Sequence, residues 1–210
     1  MKQLSIPRLS IKDAQDITQQ EQALNALPKQ AIAETPWQSY PYKPMVHFAI
    51  GYHDKHIYLK YFVSEKDIRA TTNQVNGKVW QDSCVEFFIG FDEAGYYNLE
   101  FNCIGTALIG YGPSKAERNM LPAHIVQQII TKTTIIRQPD TAVQWELLLC
   151  IPVSVFIHHQ SLALSGKQCR GNFYKCGDLL SEPHYVSWTQ IDTPEPNFHV
   201  PKDFGYLQFK

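Results

Sequence analysis

Between Val79 and Gly105 the chain reads VWQDSCVEFFIGFDEAGYYNLEFNCIG, and the side chains there that could do chemistry are Trp80, Glu86, Glu100 and Asn102. A strand period of two over Cys84 to Ile89 sets Glu86 opposite the face that holds Val85, Phe87 and Ile89. Over Tyr96 to Cys103 the same period collects Tyr96, Asn98, Glu100 and Asn102 on one side and leaves Tyr97, Leu99, Phe101 and Cys103 for the core. Asp92-Glu93-Ala94-Gly95 between them suits a short hairpin loop. A carboxylate accepts two hydroxyl protons, an amide donates and accepts, and an indole covers the C–H face of a ring. The set therefore matches the edge and the face of a sugar. Trp188, in Val186-Ser187-Trp188-Thr189-Gln190, is a candidate second aromatic wall if its strand lies near Trp80.

Such a set needs a rigid sheet beneath it. The chain has 210 residues, a length that all-β sandwiches reach as one unit, and 11 Tyr, 11 Phe and 4 Trp suit β structure and aromatic recognition surfaces. Val46 to Tyr52 and His56 to Val63, separated by Asp54 and Lys55, read as a further hairpin. Thr106 to Tyr111, Ile129 to Arg137, Ala142 to Ile151, Gly171 to Lys175, Tyr185 to Ile191 and Tyr206 to Phe209 read as further strands, with a short helix starting near Pro152. Asp13 to Leu27 reads as a short helix stopped by Pro28. The expected fold is an all-β antiparallel sandwich, with immunoglobulin-like or jelly-roll-like layers and a short N-terminal helix or arm. One domain over residues 1–210 is expected, with residues 1–36 packing on it as the arm.

Composition excludes several partners. The formal net charge is −1, with no Lys/Arg cluster of the kind that tracks nucleic acid. No run of about 18 apolar residues predicts a membrane span. The N-terminus MKQLSIPRLSIKDAQDI lacks the apolar run of a signal peptide, so a cytoplasmic location is expected, or a secreted or periplasmic one if the numbering is that of a mature chain. Five cysteines, Cys84, Cys103, Cys150, Cys169 and Cys176, have no CxxC spacing and read as buried free thiols.

Ordinary explanations stand beside the functional ones. Trp80 could fill the edge of the core, the polar residues of the hairpin could be the wet face of an antiparallel sheet, and Asn172 could be a turn or bulge residue after Gly171. By strand patterning Trp188 and Trp145 read as core rather than as ligand walls, Trp145 the more clearly because it alternates with Val143 and Leu147. Paired carboxylates also serve glycoside hydrolysis when held about 5 to 9.5 Å apart, so an enzyme using Glu86 and Glu100 is an alternative. Zinc through His158, His159 or the cysteines is weaker, because neighbouring histidines of a strand or helix point apart.

The runs VWQDSCVEFFI, YYNLEFNCIG, NFYKCGDLLSEPHYVSW and NFHVPKDFGYLQF, in that order, resemble the family 9 carbohydrate-binding modules, within the wider group related to the dopamine β-monooxygenase N-terminal (DOMON) domain. The likeness runs from about Trp37 to the C-terminus. It implies a non-catalytic β-sandwich that clasps a sugar unit, such as a chain end of a plant-type polysaccharide, in support of carbohydrate catabolism. Trp80 would be one wall, Glu86, Asn102 and Asn172 polar contacts, and Trp188 the other wall. The implied partners are a mono- or oligosaccharide and a separate glycoside hydrolase. Family members hold structural calcium, for which Asp82, Asp92 or Glu93 are the candidate ligands, although no calcium-loop spacing stands here. The wider group includes haem carriers with Met and His ligands, for which Met45, Met120, His47 and His124 are the candidates. One departure is clear: where the family's strand carries an arginine two residues before the asparagine, this chain has Glu100. The charge is reversed and a donor fork is lost.

Overall fold

The computed structural model describes residues 1–13, 15–53, 55–137 and 142–210. Ala14, inside the expected helical segment, and Asp54, in the expected turn, lie outside the described residues. Among the described residues the strands are β1 (Gln3–Ile6), β2 (Gln30–Ala31), β3 (Met45–His53), β4 (His56–Glu65), β5 (Cys84–Gly90), β6 (Tyr96–Asn102), β7 (Ala107–Gly112), β8 (Asn119–Met120), β9 (Ile130–Ile136), β10 (Val143–Pro152), β11 (Gln168–Cys176), β12 (Tyr185–Ser187) and β13 (Gly205–Phe209). The helices are α1 (Ile17–Asn25) and α2 (Ala123–Val126). The strands form two sheets. The larger runs β1-β13-β11-β5-β6-β7-β8, with β12 also paired to β11, and the smaller runs β2-β3-β4-β10-β9.

The expected hairpins are present: β3 pairs with β4 and β5 with β6, both antiparallel. The departures lie at the edges. β1 pairs in parallel with β13, so the sheet is not wholly antiparallel. The stretch expected as a strand from Tyr185 to Ile191 is a strand only to Ser187, and the expected helix near Pro152 is a single 3-10 turn at Val153–Val155. Two-residue strands such as β2 and β8 have no periodicity to read.

The main core lies between the sheets. From β5 it takes Val85, Phe87 and Ile89, from β6 Tyr97, Leu99 and Phe101, and from β10 Trp145, Leu147, Leu149 and Ile151, all essentially water-free. The alternation read from sequence sorted these residues correctly, because each strand contributes every second side chain. Helix α1 packs on the outer face of the smaller sheet, capped by the Asp16 carboxylate, which accepts from the Gln19 N–H at 3.1 Å. Lys60 on β4 reaches up to this helix and donates to Glu21 at 2.8 Å and to the Asn25 side-chain oxygen at 3.0 Å.

A second apolar cluster covers the other face of the larger sheet. Cys84 and Phe88 of β5, Tyr96 of β6, Leu108 of β7 and Tyr174 and Cys176 of β11 are packed beneath Trp37, Ile191, Phe198, Val200 and Phe204. Phe198 stacks on Tyr174 with centroids 4.2 Å apart, and the Tyr174 hydroxyl donates to the Phe198 carbonyl at 3.0 Å. Every residue of β5 and β6 is buried. The polar side of this hairpin is thus not a wet face, because the segment after β12 folds back across it.

One end of the sandwich is closed by a fully buried ion pair. Lys175 on β11 stands 2.8 Å from Glu65 at the end of β4, both without solvent exposure. The other Glu65 oxygen accepts from the Trp145 indole at 2.6 Å, and Lys175 also donates to His184 Nε2 at 2.8 Å. Because that ring nitrogen accepts, Nδ1 carries the proton and donates to the Glu182 carbonyl at 2.9 Å. Lys175→Met should cost about 3–5 kcal/mol, since it leaves the Glu65 charge buried without its partner. Urea unfolding of the variant measures this, and a loss under 1 kcal/mol would mean that the pair adds little to stability.

Candidate functional site

On the covered face, strand pairing sets the outward side chains in rows. Cys176 of β11 is opposite Cys84 of β5, which is opposite Asn102 of β6; one step on, Tyr174, Glu86 and Glu100 make the next row, and Asn172, Phe88 and Asn98 the one after. The covering segment leaves this face open at one place. There a cleft of about 210 Å³ is lined by Trp80, Glu86, Glu100, Lys115, Arg118, Cys176, Asp178, Tyr185, Phe198 and His199 among others. That is smaller than the roughly 300–1,000 Å³ of drug-sized pockets and suits one small ring.

Three of the residues singled out from sequence, Trp80, Glu86 and Glu100, meet in this cleft. Asn102, Asn172 and Trp188 do not line it. Asn102 is wholly buried, with its amide donating to Asp82 at 3.0 Å and to the Thr72 carbonyl at 2.8 Å while its oxygen accepts from the Thr106 N–H at 2.9 Å. Asn172 donates to the Thr189 hydroxyl at 2.6 Å and accepts from the Thr189 N–H at 3.1 Å, which ties β11 to the start of the covering segment. Trp188 points into the main core, edge-on to Phe48 and Phe173. A Cβ on Gly205 would stand 2.4 Å from its ring, so glycine there lets the indole sink between the sheets.

Trp80 is carried on a 3-10 turn, Val79–Gln81, and Asp82 anchors that turn. The Asp82 carboxylate accepts from the N–H and hydroxyl of Thr71, the N–H of Thr72 and the Asn102 amide, and Arg69 lies 3.3 Å away. Burial alone would raise its pKa, but the bonds from Thr72, Asn102 and Thr71 outweigh that and hold it below the ordinary aspartate value. The Trp80 and Gln81 carbonyls then accept from the N–H groups of Asp178 and Leu179. In the W-x-D pattern the aspartate thus positions and the tryptophan faces the cleft.

The side chains that sequence reading missed come from the covering loops. Arg118 donates to Glu100 at 3.2 Å and to His199 Nε2 at 3.1 Å. Since arginine only donates, Nε2 is the acceptor, so His199 Nδ1 carries the proton toward the Tyr96 hydroxyl 2.9 Å away. Burial, then the charges of Arg118 and Lys115, push the His199 pKa down to about 3, so the ring is neutral. Tyr185 has its ring edge-on to Tyr40 at 4.8 Å and to Trp37 at 6.2 Å. It stands three positions before Trp188, in the same aromatic run. Arg118 carried no signal, being one of two cations, with Lys115, in a polar loop. What brings it close is Gly112, where a Cβ would meet the Arg118 backbone at 2.6 Å.

With this geometry in hand, the comparisons with known proteins are direct. The model of carbohydrate-binding family 9 matches residues 16–209. The chain belongs to carbohydrate-binding family 9. Among solved structures, a candidate carbohydrate-binding protein from Bacteroides uniformis is 36% identical, with a TM-score of 0.93 over 100% of this chain and 99% of that one. A family 9 module from Caldicellulosiruptor kristjanssonii, solved with glucose, has a TM-score of 0.62 at 15% identity, covering 100% of this chain and 96% of that one. The cellotriose complex from that organism gives 0.61 at 15%, covering 100% and 94%. At that identity the last two show the shared fold alone. A search of curated proteins found no match.

The arginine that the resemblance implies on this strand is absent, and a guanidinium reaches the same face from a loop. Glu100 replaces the arginine on β6, but Arg118 brings a guanidinium onto the Glu100 carboxylate from the loop after β7. The calcium candidates do not form an oxygen cage. Donors occupy the Asp82 carboxylate on several sides, and a cation there would face N–H groups. Asp92 accepts from the Ala94 N–H at 2.9 Å and lies 3.0 Å from His159 Nε2, and Glu93 is exposed. Of the haem candidates, Met45 on the smaller sheet is 63% exposed and Met120 on the edge of the larger sheet 41%.

Burial raises the carboxyls at the cleft floor. Glu86 is pushed well above the ordinary range by burial first and by Glu100 second. Burial raises Glu100 as well, and Arg118 and Asn98 draw it back to about 6. The folded protein thus holds protons that the unfolded chain releases. The stability from Glu100 is full below pH 4.5 and is lost as pH rises through about 6, while the share from Glu86, raised further, is lost at higher pH. Melting temperature should fall over that interval, and Glu100→Gln should flatten the fall; an unchanged slope in the variant would mean that Glu100 does not titrate there. Asn102→Ala should cost about 1–3 kcal/mol in urea unfolding, because it strips donors from buried Asp82 and the Thr72 carbonyl.

Proposed function

We propose that the cleft binds one sugar unit, without turning it over, and that Trp80 and Tyr185 supply its aromatic walls. The observation that carries this is the composition of the cleft: two partly exposed aromatic rings beside a floor of Glu86, Glu100 and Arg118. Rings suit the C–H face of a pyranose, and a carboxyl, a carboxylate and a guanidinium suit vicinal hydroxyls. Membership of a carbohydrate-binding family supports the reading, as does the small volume, which fits a terminal ring better than the middle of a chain. The Caldicellulosiruptor module was solved with glucose and cellotriose, which makes glucose and β-glucan ends the first ligands to try.

The way the carboxyls are held supports binding without turnover. Glu86 and Glu100 are direct cross-strand partners, and Glu100 is tied to both Arg118 and Asn98. Neighbours on one sheet face approach a ring from the same side, whereas glycoside hydrolysis sets its two carboxyls on either side of the scissile bond.

Titration with glucose, galactose, cellobiose and xylobiose, followed by tryptophan fluorescence, tests the proposal. Saturable quenching by at least one sugar is expected. Trp80→Ala should weaken binding at least tenfold, in line with the roughly 2 kcal/mol or more of a central aromatic contact, and Tyr185→Ala should weaken it less. A panel without any response would overturn the sugar reading. Hydrolysis of aryl glycosides that disappears in Glu86→Gln would overturn the claim of binding without turnover.

A further inference from the structure

Beside the floor of the cleft stand two thiols that sugar recognition does not call for, within reach of Glu86. Cys84 and Cys176 are opposite each other on β5 and β11, and Glu86 is two residues along β5 on the same face. One ligand atom from each, the two Sγ atoms and a carboxylate oxygen, lie within 4.8 Å of one another, and all three residues are buried. Cys176 Sγ is 3.2 Å from Glu86 Oε1. The two thiols also hydrogen-bond to each other, and each has a long contact to a carbonyl, Cys84 to Val85 at 3.7 Å and Cys176 to Trp80 at 3.7 Å.

We propose that Cys84, Cys176 and Glu86 form a binding site for a thiophilic divalent cation, zinc in kind, with its fourth coordination position open to the cleft. Two sulfurs and one oxygen select a borderline-soft ion over calcium or magnesium. Tetrahedral ligands at about 2.3 Å for sulfur and about 2.1 Å for oxygen stand roughly 3.6 Å apart, close to the separation found between Cys176 and Glu86. The three groups come from two adjacent strands of a sheet covered on both faces, so little chain entropy is lost when an ion gathers them. Three protein ligands with one open position are the pattern of an accessible site rather than a closed structural one. Glu86 and Cys176 line the cleft, which gives the ion its way in. On binding, both thiol protons and any proton on Glu86 leave to solvent. Two thiolates, a carboxylate and a divalent ion carry one net negative charge, and Arg118 and Lys115 beside the cleft favour it.

This inference goes beyond the sugar proposal and does not rest on it. The test is titration of the reduced protein with cadmium, followed by the ultraviolet thiolate-to-cadmium charge-transfer band. One equivalent should saturate the band, and zinc should compete it away. Cys84→Ser and Cys176→Ser should each weaken uptake at least about a hundredfold, more than the 10–100-fold seen when only a group behind a ligand is changed. Cys169→Ser, on the half of β11 next to β13, should leave it intact. Cadmium NMR of the unmodified protein, reporting two sulfurs on the ion, carries the test if a serine variant fails to fold. No saturable band, or a band retained in both Cys84→Ser and Cys176→Ser, overturns the site. So does a protein that emerges from air with a Cys84–Cys176 disulfide and takes up no cadmium once reduced. The two readings fail separately: loss of the sugar response with the band intact removes the sugar proposal alone, and the reverse removes the metal site alone.

Discussion

The covering of both faces of the larger sheet is the constraint on which the rest depends. An antiparallel sandwich normally buries one face of each sheet and wets the other. Here Phe198, Val200 and Phe204 return over Phe88, Tyr96 and Tyr174, so β5 and β6 are buried along their whole length. A polar group on such a face must find a partner or border an opening, since an unpaired one costs several kcal/mol. Asn102, Asn172 and Asp82 found partners, and Glu86 and Glu100 border the opening. The cleft is what the covering segment leaves uncovered.

That division separates positioning from recognition among residues of one chemical type. Asn102 and Glu100 are two apart on the same strand face. The amide of Asn102 is spent on Asp82 and Thr72, which fixes the turn that carries Trp80. The carboxylate of Glu100 faces the cleft and meets Arg118. Such a preorganised site loses little entropy when a ligand arrives, because burial and hydrogen bonds already hold its side chains.

The raised carboxyls are a second consequence. In a wet sheet face two glutamates opposite each other would ionise and repel across water. Under cover, the neutral form of Glu86 is favoured, and a neutral carboxyl both donates and accepts, like an amide. Next to it, Arg118 keeps Glu100 nearer the ionised form. One strand pair thus presents two glutamates held to different degrees above the ordinary range, and the difference comes first from Arg118 on a loop, with Asn98 and Lys115 adding to it.

The sequence by itself determined what is periodic. Alternation named the inward and outward residues of β5 and β6 and the core run Val143, Trp145 and Leu147 of β10, because each strand contributes every second side chain to a core, and it placed β3, β4, β7 and β9 as strands. The polar run from Asp13 to Leu27 with its stop at Pro28 located α1, and the segment from Val79 to Asn102 showed its aromatic, carboxylates and amides as a candidate ligand face. Tertiary structure decided which of these share a space. Strand patterning offered Trp188 as core and Asn172 as a bulge residue beside their ligand roles, and the choice was made by the gap over Gly205 and by Thr189, contacts that no local pattern encodes. Arg118, His199 and Tyr185 entered the cleft from segments far apart along the chain, through close approach at Gly112 and aromatic packing on Trp37 and Tyr40. Strand patterning reports the residues of one element, whereas a cleft is made where several elements meet, and that depends on long-range packing.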